Sequence, residues 1–236
     1  MSPAILFDLD GTLLPLEFNE FMPLYFNGLH AAFSDRFPDG SLPKTVLAST
    51  DAMVKNNGSQ SNAAAFWADF ERRLGLPRRE LEPVFAAFYH DDFDALGAGV
   101  GRWPEAAAAV EAARSRGAIV VLATNPVFPR EAIEHRLRWA GLQPEAFDLI
   151  TDYENMCFTK PNPGYYRQIA TDIQVDCASC LMVGNDVGLD LEPARSAGMK
   201  TFMIRSDYSD YGPDDFAPDY EGTLADLVGF LDQGFD

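Results

Sequence analysis

The sequence predicts a doubly wound, Rossmann-like parallel α/β sheet into which an all-helical domain is inserted. Three observations predict it. Short apolar runs typical of buried parallel strands occur at the start of the chain and again after about residue 117, and helical patterns alternate with the later runs. The stretch between the first run and the later ones contains helical patterns alone. We therefore expect one domain formed by residues 1–15 and 101–236, and a second formed by residues 16–100.

The strands of the sheet are predicted from apolar runs that end in glycine, polar or acidic residues. The first is Ala4–Leu9, which is followed by Asp10 and Gly11. The later runs are Ala118–Ala123, Phe147–Ile150, Leu181–Val183 and Thr201–Ile204. The helices between and after them are predicted at Pro104–Arg116, Arg130–Trp139, Gly164–Ile173, Leu189–Ala197 and Leu224–Leu231. Because strand and helix alternate, one parallel sheet covered by helices follows.

The inserted domain runs from about Leu16 to about Gly97 and shows no strand-like run. Apolar residues recur there at helical spacing, which predicts four helices. These cover Phe18–Leu29, Val46–Val54, Ala63–Leu74 and Leu81–Tyr89. The polar segment Asn56–Asn62 predicts a loop. The glycine-rich segment Gly97–Gly101 follows no strand, so it predicts a hinge rather than a nucleotide-binding loop.

Net charge limits the partners of the chain. Its formal charge is −18 and its pI is about 4.4, with no basic stripe, so nucleic acid is not an expected partner. The same charge repels small phosphorylated metabolites. A site for them must therefore be made positive locally by a metal cation, a lysine or helix N-termini.

No apolar run reaches the roughly 20 residues that span a bilayer, and the N-terminus lacks a signal-peptide pattern. We therefore expect a cytoplasmic protein with no membrane partner, as a monomer or a homodimer. Cys177 and Cys180 have the spacing of redox and zinc motifs, but neither a second pair nor a nearby histidine accompanies them. This context favours ordinary reduced thiols.

Two carboxylates follow the first predicted strand. Asp8 and Asp10 stand at its carboxyl end, where open α/β sheets bind ligands. Residues two apart on a strand point the same way, so both side chains could face one Mg²⁺, which would keep Asp8 ionised and available as a nucleophile. As an isolated pair, however, they would more often be strand-end and turn residues.

Three further elements carry polar residues to the same sheet edge. Thr124 and Asn125 end the strongest predicted strand and could bind a phosphate oxygen, although such residues also begin ordinary loops. Lys160 lies in a proline-stiffened turn before a helix, which suits an anion. Asp186 and Asp190 follow a glycine at a strand end and are four residues apart, so they share one face of a helical turn, unless either simply caps that helix.

Taken in order, these elements resemble the motifs of the haloacid dehalogenase superfamily, most of whose members are phosphatases. The family motif D-x-D-G-T matches Asp8–Thr12, and its strand-end threonine or serine matches Thr124. Its lysine, often followed by Pro-x-Pro, matches Lys160–Pro163, and its acidic pair after a glycine matches Asp186 and Asp190. The resemblance covers the first strand and everything from about residue 103 onward. The helical insertion stands where the family has a cap of the C1 type.

The fourth motif departs from its commonest form. That form has an acid directly after the glycine, where this chain has Asn185, and its two acids are five residues apart rather than four. The first acid is here Asp186, which resembles another accepted version. The metal ligands implied by the resemblance are therefore Asp8, Asp10 and Asp186, the second of them through its backbone carbonyl. Asp190 would bind through water or orient Lys160.

The resemblance implies a Mg²⁺-dependent phosphatase that acts on a small phosphorylated metabolite. Asp8 would be the nucleophile and Asp10 the general acid and base, while Lys160 would assist catalysis and bind phosphate together with Thr124 and Asn125. Dehalogenases of the family typically lack the acid two positions after the nucleophile, so Asp10 favours phosphatase chemistry. A sugar-phosphate mutase with the same chemistry and a non-catalytic phosphate-binding protein are the alternatives.

Overall fold

The computed structural model describes residues 2–212 and 216–233, which form a six-stranded sheet with helices and an inserted helical cap. Every pair of neighbouring strands is parallel, and the strand order is β3-β2-β1-β4-β5-β6. The strands are β1 (Ala4–Phe7), β2 (Ile119–Leu122), β3 (Leu149–Ile150), β4 (Cys180–Gly184), β5 (Lys200–Ile204) and β6 (Tyr220–Gly222). The fold class predicted from the sequence is confirmed.

Strand register places three chain segments side by side at the carboxyl edge of the sheet. Phe7, the last residue of β1, lies opposite Leu122 of β2 and Val183 of β4. The backbone amide of Asp8 then donates to the carbonyl of Val183 at 2.9 Å. All four residues of β1 are completely buried, so a one-residue slip would not be tolerated. The polar residues that follow β1, β2 and β4 therefore meet at one place.

The core helices largely follow the predicted pattern. They are α5 (Pro104–Ser115), α6 (Arg130–Ala140), α7 (Pro163–Asp172), α8 (Glu192–Ser196) and α9 (Leu224–Gln233). The helix predicted over 189–197 is wrong in detail, because a π-helical turn covers Val187–Leu191 before α8 begins. The π-helical turn begins before the predicted helix for a local reason. The Asp186 carboxylate accepts a hydrogen bond from the Leu189 amide at 2.8 Å and caps the turn.

The inserted segment is all-helical, as predicted. It contains α1 (Phe18–Ala32), α2 (Leu42–Val54), α3 (Asn62–Leu74) and α4 (Arg78–Ala87), followed by helical turns at Phe88–Asp92 and Phe93–Gly97. The predicted loop ends one residue early, because Ser61 caps α3 by accepting from the Ala64 amide at 3.2 Å. Among residues 2–212 and 216–233, none of the helices combines the length and apolar character of a membrane span.

An aromatic cluster joins the cap to α6 of the core. The ring of Phe93 stacks on that of Trp139 with 5.5 Å between centroids, and Phe21 meets Trp139 edge-on at 5.9 Å. The Asp94 carboxylate binds Nδ1 of His135 at 2.9 Å and accepts a hydrogen bond from Nε1 of Trp139 at 3.0 Å. Cap and core thus share a buried contact on α6, while the exact domain boundaries at residues 15 and 100 stay a prediction.

The cysteines within the described residues are free thiols. Cys180 lies in β4, where burial raises the pKa of its thiol to about 12. Such a thiol is protonated at neutral pH and is a poor nucleophile and metal ligand. This agrees with the interpretation of Cys177 and Cys180 as ordinary reduced residues.

Candidate active site

A cavity of about 540 Å³ opens at the carboxyl ends of β1, β2 and β4, beneath the cap. It is lined by all of the site residues predicted from the sequence: Asp8, Asp10, Thr124, Asn125, Lys160, Asp186 and Asp190. These residues come from four separate segments of the chain. The strand register described above brings three of these segments together, and contacts with Asn125, Asp8 and Asp190 place the loop that carries Lys160.

A buried lysine bridges two carboxylates at the base of this cavity. The Lys160 Nζ atom lies 2.7 Å from Oδ1 of Asp8 and 2.5 Å from Oδ1 of Asp190. Burial acts to lower the pKa of Lys160, but Asp190 and Asp8 together raise it well above its ordinary value, so the ammonium group stays charged. Burial and the negative charge of Asp8 raise the pKa of Asp190 to about 7, against the pull of Lys160.

The loops that carry Lys160 and Thr124 are tied to each other. The Asn125 side-chain oxygen accepts a hydrogen bond from the Lys160 amide at 3.2 Å. From the first turn of α7, the Tyr165 hydroxyl donates to the Thr124 carbonyl at 2.8 Å. Lys160 is followed by a cis peptide bond to Pro161. Because the two hydrogen bonds tie the loops together, the lysine and the Thr124–Asn125 turn face the same cavity.

The turn after β4 orders the two acids of the fourth motif. Oδ2 of Asp190 accepts a hydrogen bond from the Asp186 amide at 3.3 Å, and its other oxygen contacts Lys160. A side chain at position 184 would overlap the Asp190 carboxylate, which explains the glycine there. Asp190 is expected either to bind the metal through water or to orient Lys160. The structure contains the contact with Lys160 that the second role needs. Burial raises the pKa of Asp186, whose carboxylate also lines the cavity.

Asn185, where the sequence departs from the commonest motif, links the first and fourth motifs. Its Oδ1 accepts a hydrogen bond from the Thr12 hydroxyl at 2.9 Å, and its Nδ2 donates to the Tyr208 carbonyl at 2.6 Å. Gly11 has a φ of +77°, and a side chain there would overlap the amide group of Asn185. Asn185 therefore braces the turn that follows Asp8 and Asp10.

Sequence reasoning missed the buried cation of α6, Arg136, and the acids Glu17, Asp207 and Asp210, which also line the cavity. The Arg136 side chain is 1% exposed, lines the cavity and forms an ion pair with Asp10. A signal was present in the sequence: Arg136 follows Ala132 by four residues and precedes Ala140 by four, so it lies on the apolar face of the helix. A lone arginine on such a face is a candidate for a buried ion pair.

The oxygen-rich edge of the cavity fits a divalent metal ion. The Asp8 and Asp186 carboxylates and the Asp10 backbone carbonyl are hard oxygen donors, which Mg²⁺ prefers, with water completing its octahedral shell. Within residues 2–212 and 216–233, no three His, Cys, Asp or Glu side chains are grouped closely enough to hold a metal by themselves. A site made from two carboxylates and a backbone carbonyl does not need such a group.

The family model described as haloacid dehalogenase-like hydrolase matches residues 3–198. The chain belongs to the haloacid dehalogenase-like hydrolases. No curated protein matches its sequence.

Solved structures of haloacid dehalogenase-like hydrolases share this fold over nearly the whole chain. A HAD phosphatase from Thermococcus onnurineus is 22% identical with a TM-score of 0.56, covering 96% of each chain. A 2-haloacid dehalogenase from Pseudomonas syringae pv. Tomato DC3000 is 20% identical with a TM-score of 0.63, covering 97% of each chain. The HAD-hydrolase YfnB from Bacillus subtilis, bound to magnesium, is 20% identical with a TM-score of 0.56, covering 98% of each chain. At these identities the similarity establishes the fold, and the choice of substrate depends on the site.

Proposed function

We propose that this hydrolase is a Mg²⁺-dependent phosphatase that transfers a phosphoryl group from a small metabolite to Asp8 and then to water. The observation that carries the proposal is the pairing of two acids in one cavity. Asp8 contacts the buried ammonium group of Lys160 at 2.7 Å, and Asp10 stands two residues away in the same cavity. Phosphoryl transfer from an alcohol-derived leaving group requires such a second acid, since the leaving oxygen must receive a proton.

The proposed reaction has two displacements at phosphorus. In the first, an Asp8 oxygen attacks the phosphorus, the bond to the leaving oxygen breaks, and Asp10 donates its proton to that oxygen. In the second, Asp10 takes a proton from water, whose oxygen attacks the phosphorus of the aspartyl-phosphate. Inorganic phosphate leaves, Asp8 regains its carboxylate, and Asp10 is protonated for another cycle.

Positive charge near the phosphoryl oxygens supports both displacements. Lys160 is charged and buried, and the Thr124 hydroxyl and Asn125 lie at the same edge of the cavity. Asp8, Asp186 and the Asp10 backbone carbonyl would hold Mg²⁺, which when bound offsets negative charge on the transferring group. Asp190 holds the Lys160 ammonium in place through its contact at 2.5 Å.

The cap supplies part of the wall around the leaving group. Leu16, Glu17, Phe18 and Asn19 line the cavity from the cap side. Excluding bulk water from this space would strengthen the electrostatic interactions that stabilise the transferring phosphoryl group, and the segments Leu14–Leu16 and Gly97–Gly101 are the proposed hinges. The cavity has room for a small metabolite.

Magnesium dependence tests this proposal. We expect 4-nitrophenyl phosphate to be hydrolysed slowly with Mg²⁺, no hydrolysis in EDTA, and recovery when Mg²⁺ is returned. Asp186→Asn should raise the Mg²⁺ concentration needed for half-maximal activity about 10- to 100-fold, because one carboxylate ligand becomes neutral. Phosphate release measured against Mg²⁺ concentration gives both results.

Asp176→Asn is the matched control for that experiment, since Asp176 is an exposed aspartate outside the cavity. It should need the same Mg²⁺ concentration as the wild type. Activity that persists in EDTA would contradict the metal requirement. Conversion of a sugar phosphate to its isomer without phosphate release would favour the mutase alternative, and phosphate binding without turnover would favour the binding protein. The cytoplasmic location, the oligomeric state and the absence of nucleic-acid and membrane partners stay predictions.

A further inference from the structure

Arg136 is a buried cation within the cavity wall that none of the family motifs contains. Its side chain is 1% exposed, and burial lowers the pKa of the guanidinium to about 10 against the opposing effect of Asp8, so it is charged at neutral pH. Placing a charge in the protein interior is costly, and an apolar side chain of similar size would often serve stability as well or better. A structural role alone is therefore a weak explanation for this arginine.

The guanidinium makes its ion pair with the side chain of Asp10. The Nη2 atom of Arg136 forms the ion pair with Oδ2 of Asp10, while Oδ1 of Asp10 and both Nε and Nη2 of Arg136 are buried without a hydrogen-bond partner among the described residues. The ring of Phe128 lies 5.4 Å from the centre of the guanidinium and supports it from one side. The direction of the Asp10 carboxylate is thus set chiefly by this single partner.

The helix that carries Arg136 is itself fixed on the cap side. His135 and Trp139, on either side of Arg136 in the sequence, both bind Asp94 of the cap, at 2.9 and 3.0 Å. Trp139 also stacks on Phe93. Because α6 has little freedom to rotate or slide, the guanidinium is held in one place relative to Asp10.

We propose that Arg136 is a positioning residue that orients the Asp10 carboxyl group toward the leaving oxygen of the substrate. Its ion-pair partner among the described residues is Asp10, so it acts through that carboxyl group. The inference rests on the proposed phosphatase function and adds a residue outside the family motifs to it. Lysine would keep the charge but lose the planar fork of the guanidinium, so it should replace Arg136 poorly.

Leaving groups of different acidity test this role. A 4-nitrophenolate ion leaves with little help from an acid, whereas a phenolate ion needs the proton that Asp10 supplies. We expect Arg136→Met and Arg136→Lys to lower kcat/KM for phenyl phosphate about 10- to 100-fold, and kcat/KM for 4-nitrophenyl phosphate about threefold or less, because kcat/KM reports the first displacement and not the later attack by water. Arg138→Met is the control, since Arg138 is an exposed arginine on the same helix, and it should change neither rate.

A double-mutant cycle separates positioning from general damage. Asp10→Asn should show the same dependence on leaving group, and adding Arg136→Met to it should lower neither rate further, because the group being oriented is already gone. If Arg136→Met folds poorly, Arg136→Lys provides the same comparison, with circular dichroism to confirm its fold.

Two results would overturn the inference while leaving the phosphatase intact. One is an equal loss on both substrates in the Arg136 variants, and the other is a full additional loss when Arg136→Met is combined with Asp10→Asn. A wild-type protein that releases phosphate from neither substrate would instead overturn the proposed function, and the inference with it.

Discussion

Asp8→Asn should abolish phosphate release, lowering kcat about 10⁴-fold or more. The amide has nearly the shape of the carboxylate but no anionic oxygen to attack phosphorus, so the first displacement cannot occur. The variant should still fold, because Lys160 keeps its contact with Asp190. Steady-state release of phosphate from 4-nitrophenyl phosphate with Mg²⁺ measures the effect.

Asp172→Asn is the control for this variant, since Asp172 is an exposed aspartate at the end of α7. It loses the same charge by the same substitution and should keep wild-type activity. An Asp8→Asn protein that retained a tenth or more of the wild-type rate would show that another group attacks phosphorus.

Lys160→Met should cost both activity and stability. Two carboxylates, Asp8 and Asp190, would then face each other in the interior without their shared cation. Removing one partner of a buried ion pair typically costs about 3–5 kcal/mol of unfolding free energy. Phosphate release should fall about 10³-fold, because the phosphoryl oxygens lose a fixed positive charge.

The loss of unfolding free energy in Lys160→Met should grow as the pH rises. The pKa of Asp190 is already raised to about 7 by burial and Asp8, and removing Lys160 raises it further. A carboxyl group whose pKa is higher in the folded state than in the unfolded state, where it is near 4, binds more protons when folded. Its contribution to stability is therefore fully present below about pH 4 and is lost as pH rises through the folded pKa.

Thermal unfolding in EDTA from pH 5 to pH 8 measures this effect without a contribution from metal binding. The difference in Tm between wild type and Lys160→Met should be smallest at pH 5 and should widen toward pH 8. Lys44→Met, which removes an exposed lysine of the cap, should match the wild type throughout. A Lys160→Met protein as stable as the wild type at pH 8 would mean that Asp8 and Asp190 do not share a buried cation.

The strands that are buried on both faces could be predicted from local sequence alone. Runs such as Ala4–Phe7 and Ile119–Leu122 are apolar throughout because both faces of a parallel sheet are covered, and this made their strands predictable. Because parallel strands end at the same edge of a sheet, the residues that follow adjacent strands lie close together at that edge. Asp8, Thr124 and Asp186 could therefore be assigned to a common site without coordinates.

Elements that depend on tertiary contacts were harder to predict. Strand β6, Tyr220–Gly222, has three residues and no apolar run, and it exists because it pairs with β5. The π-helical turn at Val187–Leu191 depends on the cap that Asp186 provides. The ion pair between Arg136 and Asp10 joins residues far apart in sequence, and spacing indicated the buried face but not the partner.

Direct detection of a phosphoryl group on Asp8 tests the central claim most directly. The wild-type protein would be mixed with 4-nitrophenyl phosphate and Mg²⁺, quenched in acid during turnover, digested, and analysed by mass spectrometry. We predict one added phosphoryl group on the peptide that contains Asp8, absent in EDTA and in Asp8→Asn. An actively hydrolysing wild-type enzyme that never carries phosphate on Asp8, or carries it on another residue, would contradict the account.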